Sequence, residues 1–330
     1  MKNPKIKIGL FGAGYFGKLH LKNLLNTPFD VVGFYDPEQS NTSSLEKDFG
    51  VRGYSNPDEL MELIDAVDIV TPTTHHIALA LKALEQNKHI FIEKPIASNA
   101  NEAEAFIKSM KDNGKDLSVQ VGHIERFNPA FKEAVQYCID PVFIRARRLA
   151  QYNPRANDVS VIHDLMIHDI DALLSLVKSP VKEIRASGAC PITKHTDWCE
   201  ARIEFENGCI ANLEASRMYH DQTRMMEILC DDSFITVDFL KKEFHLVNRQ
   251  KIKKEGALNH IAEWMTPKGD FHIKSKMENF PPSNAILEEL VEFYNSIANN
   301  EPVRVSHNDA FQALFIADKI QEIALRSDRV

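Results

Sequence analysis

The sequence predicts an α/β domain with a doubly wound parallel sheet, followed by an α+β domain. The chain has 330 residues, which is the length of two ordinary domains of ~150 residues each. Strand and helix patterns alternate up to residue 121, as in a parallel sheet with crossover helices. Beyond residue 180 the segments are short and alternate between polar and apolar residues, which indicates an antiparallel or mixed sheet. We therefore predict domains at 1–124 and 125–330.

The elements of the first domain follow from β-branched runs and helical periodicity. Its predicted strands are 5–11, 31–35, 67–71, 89–92 and 117–121. Its predicted helices are 15–25, 41–49, 57–65, 75–86 and 99–112. Pro37 stops the second strand, because proline cannot donate a hydrogen bond to a sheet.

The second domain is predicted to begin with helices at 128–137 and 162–177 on either side of a strand at 142–149. The alternating segments then predict strands at 181–189, 198–205, 208–216, 223–230 and 233–238. Segment 241–280 lacks a clear period and is predicted to be irregular. Two helices, 284–299 and 308–326, close the chain, and we expect the C-terminal helices to pack back on the first domain.

Composition limits the possible partners and location. Hydrophobic residues make up 44% of the chain and charged residues 26%, which is typical of a globular protein. The formal charge of −8 disfavours nucleic acid and anionic membranes as partners. The sequence shows neither a secretory leader pattern nor an apolar run of ~18 residues, so we expect a cytoplasmic protein. Its five scattered cysteines fit reduced, buried thiols better than disulfides or a zinc site.

A glycine-rich turn between the first strand and the first helix predicts a dinucleotide site. The turn matches GxGxxG, in which the glycines allow a tight bend and a close approach to pyrophosphate. It reads Gly12-Ala13-Gly14-Tyr15-Phe16-Gly17. Asp36 ends the second strand, where a carboxylate binds ribose hydroxyls and repels the extra phosphate of NADP. The pattern therefore favours NAD, and the alternative is a surface turn with a solvated aspartate.

Two further strand ends carry polar motifs. The segment Thr71-Pro72-Thr73-Thr74 follows the third long strand. It predicts a cofactor contact, a helix cap by Thr73 or Thr74, or both. The adjacent His75 and His76 face different directions on a helix, so they do not predict a metal site. The motif Glu93-Lys94-Pro95 follows the next strand. Lys94 is placed to bind a substrate hydroxyl or move its proton, although such a tripeptide is more often a solvated loop.

The helix at 162–177 carries a second candidate group. Asp164 and His168 stand four residues apart on one helical face, and Asp171 continues this stripe. An imidazole beside carboxylates is suited to act as a general base. One alternative is an exposed polar stripe, and another is a metal phosphohydrolase built on the His163-Asp164 and His168-Asp169 pairs. The second alternative leaves the glycine turn unexplained.

An arginine cluster on the strand at 142–149 is a weaker signal. Strand alternation sends Arg145 and Arg147 to one face and Arg148 to the other, and Arg155 follows in a loop. Arginine forks bind phosphate in pairs of hydrogen bonds. Surface salt bridges explain the cluster as well as a nucleotide-sugar diphosphate does.

Taken together, these motifs resemble the glucose-fructose oxidoreductase / inositol dehydrogenase family, Gfo/Idh/MocA. The resemblance covers nearly the whole chain, including the closing Pro302-Val303-Arg304-Val305 and Asp309-Ala310. It implies a Rossmann domain, a C-terminal domain with a large open sheet used for oligomer contacts, and bound NAD or, less favoured here, NADP. It also implies a catalytic Lys94 with Asp164 and His168, and a homodimer or homotetramer.

The same resemblance extends the candidate sites. The implied cofactor residues are the glycine-turn residues with Asp36, Thr71, Pro72, Thr73, His76, Glu93 and Lys94. The implied substrate residues are Lys94, Arg126, Tyr152, Asn153, Arg155 and His168.

Within the family, the segments 121–130 and 152–155 look most like the branch of UDP-N-acetylglucosamine 3-dehydrogenases. This likeness implies NAD-dependent oxidation of a sugar ring hydroxyl, with a UDP-N-acetylhexosamine converted to its 3-keto form. Segment 158–163 departs from the family's glycine-rich pattern, which puts the substrate loop in question. The alternatives are an inositol, polyol or free-sugar dehydrogenase with the same catalytic residues, and a non-catalytic NAD-binding sensor.

Overall fold

The computed structural model describes residues 5–154, 159–251 and 261–326. The chain divides into two compact units, which we describe separately. The first unit is Met1–Ile124 with Asn284–Phe315, and the second is Glu125–Ser283 with Ile316–Val330. Residues 284–315, which the sequence analysis assigned to the second domain, thus belong to the first unit. The functional roles of the two predicted domains stay predictions.

The first unit is built on a parallel sheet of six strands, in the order β3-β2-β1-β4-β5-β6. All neighbouring strands in this sheet run parallel. In chain order they are β1 (Lys7–Phe11), β2 (Asp30–Tyr35), β3 (Gly53–Tyr54), β4 (Ala66–Ile69), β5 (His89–Glu93) and β6 (Val119–Gly122). The predicted Rossmann-type sheet is therefore confirmed. From β1 the sheet extends through β2 and β3 in one direction, and from β4 through β5 and β6 in the other. Ligands of open α/β sheets bind outside the strand ends at the point between β1 and β4 where the direction changes.

Helices connect these strands with short loops, because parallel neighbours require a crossover. They are α1 (Tyr15–Leu24), α2 (Gln39–Phe49), α3 (Pro57–Leu63), α4 (His76–Glu85) and α5 (Ala100–Asn113). Asn56 and Asn99 cap α3 and α5 by accepting hydrogen bonds from backbone N–H groups, which satisfies donors that a helix start leaves unpaired. Sequence periodicity had predicted all five helices to within two residues at each end.

The core of the first unit includes a helix from the C-terminal part of the chain, α8 (Ala285–Asn299). Phe293 and Tyr294 of this helix pack on Phe29, with ring centroids 5.8 and 5.1 Å apart. Phe293 also packs edge to face on Phe91 of β5 at 5.8 Å. Burying such aromatic rings stabilises a fold by about 1.5–3 kcal/mol each. This packing is why 284–315 belongs to the first unit.

The second unit is built on a mixed sheet of nine strands among the described residues, in the order β14-β15-β13-β12-β11-β7-β10-β9-β8. β7 and β10 run parallel, and the other neighbouring pairs are antiparallel. The strands are β7 (Pro141–Leu149), β8 (Val181–Ala189), β9 (Trp198–Phe205), β10 (Ile210–Ser216), β11 (Thr223–Cys230), β12 (Ser233–Asp238), β13 (Glu243–Lys251), β14 (Ala262–Thr266) and β15 (Gly269–Asn279). The predicted large, mostly antiparallel sheet is confirmed.

The prediction that segment 241–280 is irregular was wrong. It contains β13, β14 and β15, and β13 pairs with β15 along its whole length. Only Phe244 and Leu246 of β13 are buried, while its last residues are polar and exposed or half-buried. The strand is therefore specified by pairing with its neighbours rather than by its own propensity, which is why the sequence pattern missed it.

The helices of the second unit begin with α6 (Pro129–Tyr137). The predicted helix at 162–177 starts as a π-helical turn, Ile162–Met166, and continues as α7 (Ile167–Leu176). The wider π turn changes the spacing on which the alignment of Asp164 with His168 was predicted, because that spacing assumed α geometry throughout. Single π turns are frequent at functional sites. The last helix, α9 (His307–Arg326), is divided between the two units at Phe315.

Two sequence expectations concern the rest of the chain. All five cysteines are free; Cys199, Cys209 and Cys230 are buried as predicted, whereas Cys138 is half-buried and Cys190 is exposed. In the described part of the chain, no helix has the length and apolar character needed to cross a membrane.

The glycine turn generates a prediction about stability. A Cβ on Gly17 would lie 2.0 Å from the Gly12 carbonyl oxygen, whereas a Cβ on Gly14 would meet nothing within 4 Å. We expect Gly17→Ala to lower the free energy of unfolding by about 1–3 kcal/mol or more, because the backbone must move apart. Gly14→Ala, the matched control, should unfold like the wild type. Chemical denaturation followed by circular dichroism measures both, and equal stability of the two variants would contradict the prediction.

Candidate active site

The glycine turn of the first unit lies at the reversal point of the sheet. Gly12 has a φ of +95°, and its Cβ would lie 2.6 Å from the Val70 carbonyl oxygen, so only glycine fits. Its N–H donates to the Tyr35 carbonyl at 2.9 Å, which joins the ends of β1 and β2. Gly17 is needed because α1 packs on the Gly12 carbonyl. These two glycines are thus explained by the chain's own packing.

Gly14 is not explained in this way. Its φ is −65° and it has open space around its Cα, so any small residue would fit the protein alone. It is the N-cap of α1, and no side chain caps the helix. Uncapped N–H groups and the helix dipole make this end of α1 an anion-binding position. A backbone left bare at this point is suited to the close approach of a pyrophosphate.

Asp36 lies beside the same turn, as the sequence predicted. Its Oδ2 accepts a hydrogen bond from the N–H of Ala13 at 2.6 Å, and its Oδ1 accepts one from Glu38 N at 2.9 Å. The carboxylate is therefore bound to the turn rather than simply solvated. This places a negative charge at the end of β2, which suits ribose hydroxyls and opposes a ribose phosphate.

Two exposed aromatic side chains complete the turn. Tyr15 is 68% exposed and Phe16 is 54% exposed, and their rings meet edge to face at 6.0 Å. Large apolar side chains in the first turn of a helix gain free energy when a ligand or another surface covers them. Their exposure is consistent with the predicted cofactor role.

The turn after β4 contains Thr71, Pro72 and Thr73. The interpretation that Thr73 or Thr74 caps a helix was wrong, because neither the 3-10 turn Thr73–His75 nor α4 has a side-chain cap. The turn runs along the carboxyl edge of the sheet next to the glycine turn, since Val70 N donates to the Phe11 carbonyl at 2.8 Å. A ligand contact by these residues stays a prediction.

His76 is buried rather than presented at the surface. Only 1% of it is exposed, and its Nδ1 and Nε2 each lie 2.9 Å from a backbone carbonyl oxygen, of Pro95 and Thr71 respectively. Burial lowers the pKa of His76, so the ring is held toward its neutral form. The side chain links the turn after β4 to the loop after β5.

That loop carries Glu93, Lys94 and Pro95, with a cis peptide bond between Lys94 and Pro95. Lys94 is half-buried at the carboxyl end of β5, on the same edge of the sheet as the glycine turn. The Glu93 carboxylate turns inward, where its Oε1 lies 3.0 Å from His20 Nε2 and its Oε2 accepts from Lys94 N at 3.1 Å. Burial opposes ionisation of Glu93, but His20 and Lys94 together lower its pKa.

The second unit contains the other candidate group. Asp164 lies in the π turn and His168 near the start of α7, and both side chains are half-buried. The interpretation of an exposed polar stripe was therefore wrong, since the third member of that stripe, Asp171, is only 2% exposed. The neighbouring Asp169 is buried to the same extent. The helix therefore carries carboxylates into the interior of its unit.

Buried ion pairs hold this helix in the second unit. Arg148 of β7 contacts Asp169 and Glu125, each at 2.8 Å, and all three side chains are less than a tenth exposed. Arg126, a predicted substrate residue, donates from Nε to Asp171 Oδ2 at 2.9 Å. Burial raises the pKa of Asp169, and Arg148 opposes that rise. Such pairs orient the elements that carry them, because a buried charge without its partner is costly.

Two other predicted substrate residues, Tyr152 and Asn153, lie in the segment after β7. Tyr152 is 41% exposed, and Asn153 is also exposed. Arg155 lies outside the described residues. These positions leave the substrate assignment a prediction.

The arginine cluster follows strand alternation as predicted. Arg148 faces inward, whereas Arg147 and Arg145 lie on the opposite face of the sheet and contact Glu214 at 3.0 Å and Glu227 at 3.5 Å. Exposed pairs of this kind contribute about 0–1 kcal/mol. The salt-bridge interpretation thus accounts for both outward arginines.

Sequence reasoning missed two polar residues of the first unit, His20 of α1 and Glu289 of α8. Both are fully buried. The only available signal was a polar residue on the apolar face of each helix, which a pattern alone does not distinguish from noise. Tertiary packing brings them together with Glu93.

Comparison with known proteins agrees with this geometry. Residues 6–123 match the model of the Gfo/Idh/MocA oxidoreductase family with its NAD-binding Rossmann fold, and residues 140–236 match the Gfo/Idh/MocA C-terminal domain. UDP-N-acetylglucosamine 3-dehydrogenase of Acidithiobacillus ferrooxidans is 31% identical over 299 residues, 90% of each chain. Its solved structure superposes with a TM-score of 0.86 over 98% of this chain and 99% of that one, at 28% identity.

A second relative has a different substrate. The NAD⁺-dependent scyllo-inositol 2-dehydrogenase of Bacillus subtilis is 30% identical over 234 residues, which are 64% of this chain and 68% of the relative. Matches to both family domains and to two dehydrogenases along most of their lengths leave no doubt about descent. The chain belongs to the Gfo/Idh/MocA family of NAD-binding oxidoreductases, whose members act as dehydrogenases on the hydroxyl groups of sugars and inositols.

Proposed function

We propose that this enzyme uses NAD to oxidise the 3-hydroxyl of a UDP-N-acetylhexosamine to a ketone. The observation that carries the proposal is the 31% identity over 90% of both chains with a UDP-N-acetylglucosamine 3-dehydrogenase. The scyllo-inositol relative is 30% identical over 64% of this chain, and a myo-inositol 2-dehydrogenase that matches 94% of the chain is only 22% identical. Lys94, Asp164 and His168, the catalytic residues that the family resemblance implies, fit a dehydrogenase of either substrate class.

The residues of the first unit fit NAD. Gly14 leaves its backbone bare at the uncapped start of α1, and Asp36 is fixed beside it for the adenosine ribose. Thr71, Pro72 and Thr73 follow the neighbouring strand end and are available for the middle of the cofactor. When bound, NAD accepts the hydride that leaves the sugar carbon.

We propose that three side chains of the protein accept the proton of the sugar hydroxyl and stabilise its oxygen. His168 takes the proton of the sugar hydroxyl as the carbon loses its hydride, so the alcohol becomes a ketone and one proton is released. Lys94 hydrogen-bonds the same oxygen and stabilises its developing negative charge. Asp164 orients His168. The roles of Lys94 and His168 as proton acceptor are interchangeable in this scheme.

Turnover of the nucleotide sugar is the first test. We expect purified enzyme with NAD and UDP-N-acetylglucosamine to form NADH, measured by absorbance with a ketone-consuming aminotransferase present to pull the equilibrium. Free N-acetylglucosamine and scyllo-inositol are the matched controls and should react far more slowly, because they lack the nucleotide. Equal rates with scyllo-inositol would favour a polyol dehydrogenase, and NAD binding without turnover on any substrate would favour a sensor.

The role of His168 generates a second test. His168→Ala should lower kcat by about 10²- to 10⁴-fold, because proton transfer by a positioned base contributes that much, and should leave NAD affinity unchanged. His163→Ala is a control on the same helix, since His163 contacts Asp318 at 2.8 Å and has no proposed role in the reaction. Steady-state kinetics and NAD titration measure both variants. Wild-type turnover in His168→Ala would remove His168 from the mechanism.

Assembly and location stay predictions. We propose a homodimer or homotetramer formed through the open face of the nine-stranded sheet. A cytoplasmic location is likewise carried over from the sequence analysis.

A further inference from the structure

A buried group of ionisable side chains lies inside the first unit, beneath Lys94. It consists of His20 of α1, Asp68 of β4, Glu93 of β5 and Glu289 of α8. His20, Asp68 and Glu289 are fully buried. His20 Nδ1 lies 3.0 Å from Asp68 Oδ2, and its Nε2 lies 3.0 Å from Glu93 Oε1. We call these four residues the His20 cluster.

The charges of the His20 cluster can be assigned from its contacts. Burial disfavours an imidazolium, yet Asp68 and Glu93 raise the pKa of His20 well above its ordinary value. Both ring nitrogens therefore carry protons toward carboxylates. The N–H of Nε2 does not point straight at Glu93, so that contact is mainly electrostatic. Burial also raises the pKa of Asp68, but His20 counteracts this.

Glu289 differs from the other two carboxylates. Neither of its oxygens has a hydrogen-bond partner among the described residues. Burial raises its pKa well above the ordinary value, and the nearby Glu93 adds to the rise. A third buried negative charge around one imidazolium would be uncompensated. Glu289 is thus neutral, and the single positive charge of His20 compensates only the carboxylates of Asp68 and Glu93.

Glu93 connects this cluster to Lys94. Its Oε2 accepts from the Lys94 N–H at 3.1 Å. Its Oε1 lies against Gly122 and leaves no room for a side chain there, because a Cβ on Gly122 would be 2.6 Å from this oxygen. On the other side of Lys94, the Pro95 carbonyl oxygen lies 2.9 Å from His76 Nδ1, which donates to it in the tautomer that carries its proton on Nδ1. The backbone of Lys94 is therefore held on both sides by buried histidines, one of them acting through Glu93.

We propose that His20 is a positioning residue: its charge fixes the Glu93 carboxylate, which in turn fixes the backbone from which Lys94 reaches the substrate. The inference rests on the proposed function, because it needs Lys94 to act on the substrate. A displacement of about 1 Å in a catalytic group can lower turnover by ~10²-fold. The buried cluster prevents such a displacement without touching the reaction itself.

The protonation of Glu289 is tested without any activity measurement. A neutral glutamic acid that must ionise on unfolding makes the wild type lose stability as pH rises from the unfolded toward the folded pKa. Glu289→Gln removes this loss, so its melting temperature should exceed that of the wild type by a margin that grows with pH. A difference in melting temperature between the two proteins that stays constant or shrinks as pH rises would show that Glu289 is ionised in the fold, and so would overturn the charge assignment.

A metal ion bound to the His20 cluster would also overturn the charge assignment. One atom from each of His20, Glu93 and Glu289 lies within 4.8 Å of the others, which is a spacing that a metal ion could bridge. Elemental analysis of the purified full chain should find no stoichiometric divalent metal. One equivalent of metal in the wild type, and none in Glu289→Gln, would mean that His20 binds a metal ion instead of carrying a second ring proton.

The positioning role is tested by a double-mutant cycle of His20→Asn with Lys94→Ala. His20→Asn alone should lower kcat by about 10- to 100-fold and leave NAD affinity unchanged. In the Lys94→Ala background it should have no further effect, because nothing remains to be positioned. If His20→Asn does not fold, Glu93→Gln takes its place in the cycle, since it keeps the acceptor for Lys94 N and loses the charge.

The outcomes separate the two proposals. Additive losses in the double variant, or a fall in NAD affinity that accounts for the loss, would mean that His20 only supports α1, and would overturn the positioning role. Wild-type turnover in Lys94→Ala would instead contradict the proposed function of Lys94. A loss in Lys94→Ala that His20→Asn does not deepen supports both.

Discussion

The end of β1 lies so close to the chain leaving β4 that a Cβ on Gly12 would be 2.6 Å from the Val70 carbonyl. Much of the first unit's geometry follows from this contact. The chain must turn sharply at Gly12, and α1 must then start directly above the strand ends without a side-chain cap. The same bend brings Ala13 within 2.6 Å of Asp36. An anion site and a ribose acceptor thus arise together from one steric limit.

Buried charges organise both units in a similar way. In the first unit, His20 lies between Asp68 and Glu93, and in the second, Arg148 lies between Asp169 and Glu125. Such groups add little net stability compared with well-packed apolar residues, but losing one partner costs about 3–5 kcal/mol. Their value is orientation, because only one arrangement of the helices and strands satisfies all of the charges.

The residues proposed to act on the substrate lie on elements held by these charges. Lys94 follows Glu93 directly, and His168 precedes Asp169. In each case the carboxylate in the adjacent position, half-buried for Glu93 and buried for Asp169, is tied to a cation in the core. A residue next to such an anchor has little freedom in its backbone, while its own side chain can still face a ligand. Catalytic geometry is better preserved on elements of this kind than on free loops.

The sequence by itself determined the order of the elements, the Rossmann sheet and the motifs at its strand ends, because these depend on local periodicity and on glycines that tolerate no side chain. Tertiary structure decided the rest. Strands β13 to β15 exist because they pair with one another, His76 is a buried link because two loops converge on it, and the π turn at Ile162–Met166 replaces an expected α turn. His20 and Glu289, far apart in the chain, meet only because α8 packs on α1 within the first unit. Contacts between residues distant in sequence leave no period to detect, so only the folded chain shows them.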